Sequence, residues 1–267
     1  MKNIVITGST KGIGLGLAKE FLKSECSVVI SGRNKERLER ELAGLRGAFG
    51  EGRSAGQVCD VSDYVQVSNL WDTAVKKFGT VHVWINNAGI DNSILPYWNL
   101  DSAEIGPVVN TNLTGTMYGA HVALKGMIAQ GHGQIYNVDG YGSNDMLRTG
   151  FTVYGSTKRA IRYFTESLTQ ETAEQPVQIG TISPGMVLTD FMIDGLRRLP
   201  KDQQETIKAI YNVLADSIET VTPFLAREVL ANTESGTKIS WLTEEKIQVR
   251  FNSDEYICRD LFTPYGL

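Results

Sequence analysis

Cysteine is scarce in this chain: Cys26, Cys59 and Cys258 stand far apart and form no CxxC pair. That spacing excludes a disulfide framework and a thiolate metal cluster. Cys26 and Cys59 lie in or beside apolar, strand-like segments, so buried free thiols in a reducing compartment are expected. Histidine is as rare, and His82, His121 and His132 lack metal-ligand spacing, so no metal site is expected. No apolar run approaches the roughly 20 residues that cross a bilayer, which argues against an integral membrane segment. The strand-like run Ile4-Val5-Ile6 follows Met1 almost at once, so no signal or transit peptide is expected. Basic blocks are missing too. Lysine and arginine are interspersed with a slight excess of acids, for a net charge of -4, so nucleic acid is not expected as a partner. Internal repeats, low-complexity tracts and a domain linker are also lacking.

What the chain does have is alternation. Apolar, β-branched runs expected to be strands occur at Asn3–Ile6, Ser27–Ser31, Gln57–Cys59, Val81–Ile85, Gln134–Val138 and Val177–Ile182. Helical stretches separate them, at Ile13–Lys23, Lys35–Leu45, Val65–Phe78, Ala103–Gln130 and Thr152–Glu174, with a glycine-rich loop over Gly44–Gly56. Continuous apolar strands divided by helices predict an α/β chain with a parallel sheet covered on both faces. After Met186 the alternation loosens, with one last strand expected near Ile239–Leu242. At 267 residues, one core accommodates the whole chain. Residues 1–267 are therefore expected to form one domain, in which 186–267 is a variable, substrate-facing tail.

The segment Thr7-Gly8-Ser9-Thr10-Lys11-Gly12-Ile13-Gly14 joins the first strand to the first helix. Glycines there let backbone N–H groups approach a pyrophosphate, whose charge the helix N-terminus favours. The sheet is then a doubly wound one of Rossmann type. An NAD site carries an acid roughly 20 residues further on, bonded to the ribose 2′-hydroxyl. Here the second strand runs into Arg33, with no carboxylate before Glu36, and Lys11 sits inside the loop. Two cations without an acid suit a 2′-phosphate, so the expected cofactor is NADPH (NADP+).

Tyr154-Gly155-Ser156-Thr157-Lys158 puts a phenol and an ammonium at i and i+4 on one helical face. A free phenol titrates near ~10, and a neighbouring ammonium is expected to lower it towards the range where it serves as an acid. By itself such a pair is common in helices. It has company here. Gly8, Gly12 and Gly14, then Asp60-Val61, Asn86-Asn87-Ala88-Gly89, Asn112, Tyr154, Lys158 and Pro184-Gly185 occur in the order of the short-chain dehydrogenase/reductase family. The resemblance covers about the first 190 residues. It implies that Gly8, Ser9, Thr10, Lys11, Gly12, Ile13, Gly14 and Arg33 hold the cofactor phosphates, with Asp60 and Val61 at the adenine. It further implies that Asn87, Ala88 and Gly89 line the cofactor, together with Pro184, Gly185 and Val187. Thr189 would bind the nicotinamide carboxamide. Tyr154 and Lys158 then act as the proton-transfer pair and also bind the cofactor, Lys158 at the nicotinamide ribose hydroxyls, with Asn112 supporting them through a water to Lys158.

One departure stands out. Members of that family carry a serine at the end of the fifth strand that hydrogen-bonds the substrate carbonyl. This chain reads Asn137-Val138-Asp139-Gly140-Tyr141-Gly142-Ser143, with Gly140 at the serine position. Strand alternation turns Asp139 to the other face, which leaves Ser143 as the candidate carbonyl contact. The same stretch, Tyr154-Gly155-Ser156-Thr157-Lys158, Ser183–Asp190 and Ser235–Thr243 resemble the chlorophyll b reductases of the family. That resemblance implies NADPH-dependent reduction of the C7 formyl group of chlorophyll(ide) b to hydroxymethyl, by a homodimer or homotetramer. It further implies a bacterial cytoplasmic chain, or one processed for the plastid stroma. Trp98, Phe191, Tyr211, Phe224 and Trp241 are candidate walls for a flat, hydrophobic substrate. Two alternatives stay open: reduction of another hydrophobic aldehyde or ketone, and binding of NADP(H) without chemistry.

Overall fold

In the computed structural model, which describes residues 1–199 and 201–267 without the side chains of Phe191 and Asp202, the expected alternation is realised. The strands are β1 (Asn3–Ile6), β2 (Ser27–Gly32), β3 (Ser54–Val58), β4 (Val83–Asn86), β5 (Gly133–Val138) and β6 (Val177–Ser183). Further on, β7 (Met186–Leu188) and β8 (Ala215–Ser217) form a small separate pair, and β9 (Lys238–Ser240) returns to the main sheet. That sheet has the order β3-β2-β1-β4-β5-β6-β9, with every neighbouring pair parallel. Helices α1 (Gly12–Lys23), α2 (Lys35–Phe49), α3 (Tyr64–Phe78), α4 (Ser102–Val109), α5 (Gly115–Gln130) and α6 (Thr152–Glu171) connect the strands. The later part adds α7 (Asp190–Arg197), α8 (Lys201–Leu214), α9 (Ile218–Ala231), α10 (Glu244–Phe251) and α11 (Asp254–Ile257).

Both sheet faces are covered, as strands of this composition require. Leu17 and Phe21 of α1 pack with Val221 and Leu225 of α9 on one face. Val67 and Leu70 of α3, with Ala120 and Met127 of α5, pack on the other. Chain direction across the sheet reverses between β1 and β4. At such a switch point the loops beyond the strands' carboxyl ends part to leave a crevice.

Three elements differ from expectation. The predicted loop Gly44–Gly56 is mostly regular: α2 runs on to Phe49, because Leu45 is buried against the sheet. Residues 54–58 form β3 because Ser54 to Val58 pair in register with Val28 to Gly32. The single helix expected over Ala103–Gln130 is divided by a π-helical turn at Asn110–Thr114.

The tail is tied down by one buried carboxylate. Asp216, in β8, accepts hydrogen bonds from Arg250 Nη2 (2.7 Å) and Trp241 Nε1 (2.7 Å), and Arg259 Nη1 lies 3.4 Å away. Arg259 also donates to the carbonyls of Asn212, Val213 and Ala215. The tail thereby caps the end of α8. Asp216 and Arg250 are both nearly excluded from solvent, so Asp216→Ala leaves a buried cation without its counter-charge. The expected loss is about 3–5 kcal/mol in urea unfolding. A loss under about 1 kcal/mol, in the range of an exposed pair, would show that the junction is dispensable.

Candidate active site

The glycine loop and the segments carrying Arg33, Asp60, Asn87, Gly140 and Pro184 each leave the carboxyl end of a parallel strand, so all of them meet at one edge of the sheet. The glycine loop follows β1 and is held against the turn after β4. Asn87 Nδ2 donates to the carbonyls of Thr7 (2.9 Å) and Gly8 (3.1 Å), while Thr7 Oγ1 accepts from the N–H groups of Asn87 and Ala88. Gly8 has φ +62, and a β-carbon there would stand 2.7 Å from Ala88 Cα, so both backbone and space require glycine. Beyond it, α1 begins after Lys11 with no side-chain cap and no acid in its first turn. The positive end of that helix is left for an anion. Thr189, the N-cap of α7, faces the same loop, since a β-carbon at Gly12 would meet its Cγ2 at 3.8 Å.

At the far side of this crevice Arg33 is exposed, and its Nη1 lies 3.9 Å from Asp60 Oδ2. Asp60 is further fixed by the N–H and hydroxyl of Ser62. Val61 turns inward and is buried against the start of α5, at Gly115. Ser9 is internal: its hydroxyl donates to the Ile6 carbonyl (2.6 Å) and accepts from the Ser31 N–H (2.9 Å). Pro184 and Val187 are buried, whereas Gly185 is exposed. These residues fit a dinucleotide: a glycine-lined helix start, a cation beyond β2 and a threonine opposite.

Tyr154 and Lys158 lie on the inner face of α6. The ring of Phe151 meets that of Tyr154 edge-on at 6.1 Å. Lys158 Nζ donates to the Val138 carbonyl (2.9 Å) and lies 5.7 Å from the Tyr154 ring centroid. Burial lowers Lys158 to about 8, partly opposed by the charge of Asp139. Burial also raises Tyr154 above the ordinary phenol range, and the charges of Asp91 and Asp139 push it the same way. The expectation of a phenol lowered by its lysine is therefore reversed here. Desolvation governs the phenol, and the Lys158 ammonium donates its hydrogen bond to the Val138 carbonyl.

Asn112 sits in the π-helical turn and is fully buried. Its Oδ1 accepts from the Ile90 N–H (2.8 Å), and its Nδ2 donates to the Ile90 carbonyl (2.9 Å) and to Thr157 Oγ1 (3.3 Å). It clasps the turn that follows Asn87-Ala88-Gly89 to the helix that carries Tyr154.

At the vacant serine position, a β-carbon on Gly140 would stand 2.6 Å from Tyr154 Oη. Gly140 is therefore the residue beside the phenol. Ser143 is buried and donates to Asp139 Oδ2 (3.1 Å), which directs its hydroxyl away from that point. Asp139 does face the other side, where it pairs with Lys238 Nζ (3.1 Å).

Of the candidate aromatic walls, Phe224 and Trp241 pack edge-on at 5.3 Å against the α1–α9 core, and Tyr211 packs against Phe262. Trp98 is exposed, and the Phe191 side chain lies outside the described residues. The rings beside Tyr154 are instead Phe151 and Tyr141, 5.1 Å apart, with Arg148 stacked on Phe151. Asp91, pushed up to about 6 by burial, adds a carboxyl close enough to act on Tyr154. Sequence patterns gave no sign of these four residues, apart from the i−3 spacing of Phe151 from Tyr154.

The chain is similar to known proteins over most of its length. The family described as short chain dehydrogenase matches residues 2–197. The chlorophyll(ide) b reductase NOL of Arabidopsis thaliana is 37% identical over 260 residues, covering 94% of this chain and 73% of that protein. The probable chlorophyll(ide) b reductase NYC1 of Oryza sativa subsp. japonica is 34% identical, and this chain spans about half of its length (51%). Among solved structures, ElxO with NADP bound superposes with a TM-score of 0.76 at 29% identity, covering 90% of this chain and 96% of that one.

Proposed function

Because the chain belongs to the short chain dehydrogenase family, and is thus an oxidoreductase dependent on a nicotinamide cofactor, we propose that it reduces the C7 formyl group of chlorophyll(ide) b with NADPH. The observation that carries the substrate is the reach of the likeness. The family match ends at residue 197, yet NOL aligns over 94% of the chain and so takes in the tail beyond. At the start of the tail of residues 186–267, Thr189 faces the glycine loop. An exposed apolar rim supports a large, flat substrate: Trp98 is 83% and Leu147 95% exposed, far above the usual for such side chains. Their two loops are joined where Asn92 Nδ2 donates to the Gly150 carbonyl (3.0 Å).

Bound NADPH supplies the hydride. Tyr154 gives its phenolic proton to the carbonyl oxygen, and its raised pKa keeps that proton in place until the oxygen gains charge. The Lys158 ammonium offsets the phenolate that remains, and Asn112 fixes the helix that holds both. Ser143, bonded to Asp139, supports that wall rather than the carbonyl. Lys11 and Arg33 meet the 2′-phosphate. Arg33→Ala is expected to weaken NADPH binding about 10- to 100-fold, the value of one charged hydrogen bond, with NADH binding unchanged. Equal loss for both cofactors in a fluorescence titration would remove Arg33 from phosphate recognition.

Among the described residues no helix is long and apolar enough to cross a membrane. An apolar groove on α3, α5 and α6, lined by Tyr64, Met117, Tyr118 and Phe164, supports assembly as a homodimer or homotetramer. The deciding experiment is spectroscopic: purified protein, NADPH and chlorophyllide b, followed at the pigment's absorption bands. Loss of the formyl spectrum with matching NADPH oxidation is expected. NADPH oxidation only with other aldehydes or ketones would replace the substrate, and binding without turnover would leave a nucleotide-binding protein.

A further inference from the structure

Asp139 is a buried carboxylate to which the chemistry above gives no step of its own, although its charge acts on Tyr154 and Lys158. It stands at the end of β5, only 5% exposed, between Val138 and Gly140. Its Oδ2 is held by Ser143 Oγ (3.1 Å) and by Lys238 Nζ (3.1 Å) of β9. Lys158 runs along the opposite side of the same three residues. Its Nζ bonds the carbonyl of Val138 (2.9 Å), and its Cε and Cδ would lie 3.2 and 3.4 Å from a β-carbon on Gly140. Lys158 is 5% exposed, and its charged neighbour of opposite sign at the end of β5 is Asp139. Isolated buried cations shed their proton, because desolvation favours the neutral amine.

We propose that Asp139, anchored by Ser143 and Lys238, is a positioning residue that keeps Lys158 in its ammonium form through the β5 backbone. Asp139 transfers no proton. It supplies a fixed negative charge behind the lysine, and glycine at 140 lets the lysine pass close to the strand. The inference rests on Tyr154 and Lys158 being the proton-transfer pair, and it explains why Asp139, Gly140 and Ser143 accompany the lost serine. Around Lys158 the other titratable groups are Tyr154 on its own helix and Asp91 in the turn after β4, which acts on Tyr154. Around Asp139 they are Lys238 on β9 and, in the groove behind it, Arg162 and Glu166 of α6. Among the described residues, Asp139 alone adds negative charge to Lys158 directly, and Lys238 alone is bonded to Asp139 as a cation.

The sign of each substitution follows. Asp139→Asn removes the counter-charge without changing shape, so Lys158 loses its proton at lower pH. Lys238→Met leaves Asp139 uncompensated, so Lys158 keeps its proton to higher pH. Titration of isotope-labelled lysine by NMR, in protein saturated with NADP+ and assigned by the signal lost in Lys158→Arg, reads this without substrate. The Lys158 midpoint is expected to fall by on the order of one pH unit in Asp139→Asn and to rise in Lys238→Met. The alkaline limb of NADPH-dependent reduction should move with it. An unchanged midpoint in Asp139→Asn overturns the proposal. Lys238→Met changes a half-exposed position, so it decides the matter should Asp139→Asn fail to fold: a rise supports the proposal, and a fixed or falling midpoint ends it. Absence of turnover, by contrast, would strike the proposed reaction and leave this titration intact.

Discussion

Tyr154→Phe is expected to bind NADPH with near-native affinity and to lose carbonyl reduction by about 10³- to 10⁴-fold. The upper half of the range for general acid catalysis applies, because Gly140 offers no hydroxyl to share the work. In the wider family a serine at that position would also polarise the carbonyl oxygen. Here the place beside Tyr154 Oη belongs to a residue without a side chain, and the nearby Ser143 hydroxyl is spent on Asp139. The phenylalanine ring would keep the edge-on contact with Phe151, so the substitution removes one oxygen and little packing. Single-turnover reduction, with NADPH binding measured separately, tests the point. Turnover within tenfold of the parent would mean that another group delivers the proton, with Asp91 the first to examine.

Parts of this arrangement were readable from sequence because they are local. The glycine loop, the basic residue after β2 and the Tyr154/Lys158 spacing each depend on a few consecutive residues and on strand-then-helix order. β1 and β2 are legible to within a residue for the same reason: each apolar run ends at a hydroxyl residue followed by glycine, Thr7-Gly8 and Ser31-Gly32. What escaped detection was long-range. The π-helical turn at Asn110–Thr114 lies inside an unbroken helical pattern. It is fixed by the Asn112 amide bonding the backbone of Ile90, 22 residues earlier. Residues 44–49 looked like loop from their glycines, but the buried Leu45 extends the helix over the sheet. The candidate aromatic walls illustrate the limit best. Trp241 carries no mark in sequence that separates a pocket wall from a core residue bonded to Asp216. The phenol's raised pKa is hidden for a similar reason: spacing shows the lysine but not the burial around the ring.

The glycine at 140 makes the sharper prediction, since restoring the family's serine there is expected to damage the enzyme. A β-carbon at this position would approach Tyr154 Oη to 2.6 Å and Lys158 Cε to 3.2 Å. The first distance forces a shift and the second is tighter than ordinary contact, while the chain just before Gly140 is held by pairing of Asn137 with β4 and of Val138 and Asp139 with β6. The phenol and the lysine must therefore give way. Displacing a proton donor by about 1 Å can cost on the order of 10²-fold in rate. Gly140→Ser should thus lower kcat by about that factor, with NADPH binding intact, because the glycine loop and Arg33 lie elsewhere along the crevice. Gly140→Ala separates crowding from chemistry, since it adds the β-carbon without the hydroxyl. Equal losses in the two variants would show that space alone governs the position. If serine raised activity while alanine lowered it, the crowding would be relieved by small shifts, and the chain would be a family member that merely lacks a donor. The structure favours the first outcome, because the phenol occupies the volume that a serine side chain would need.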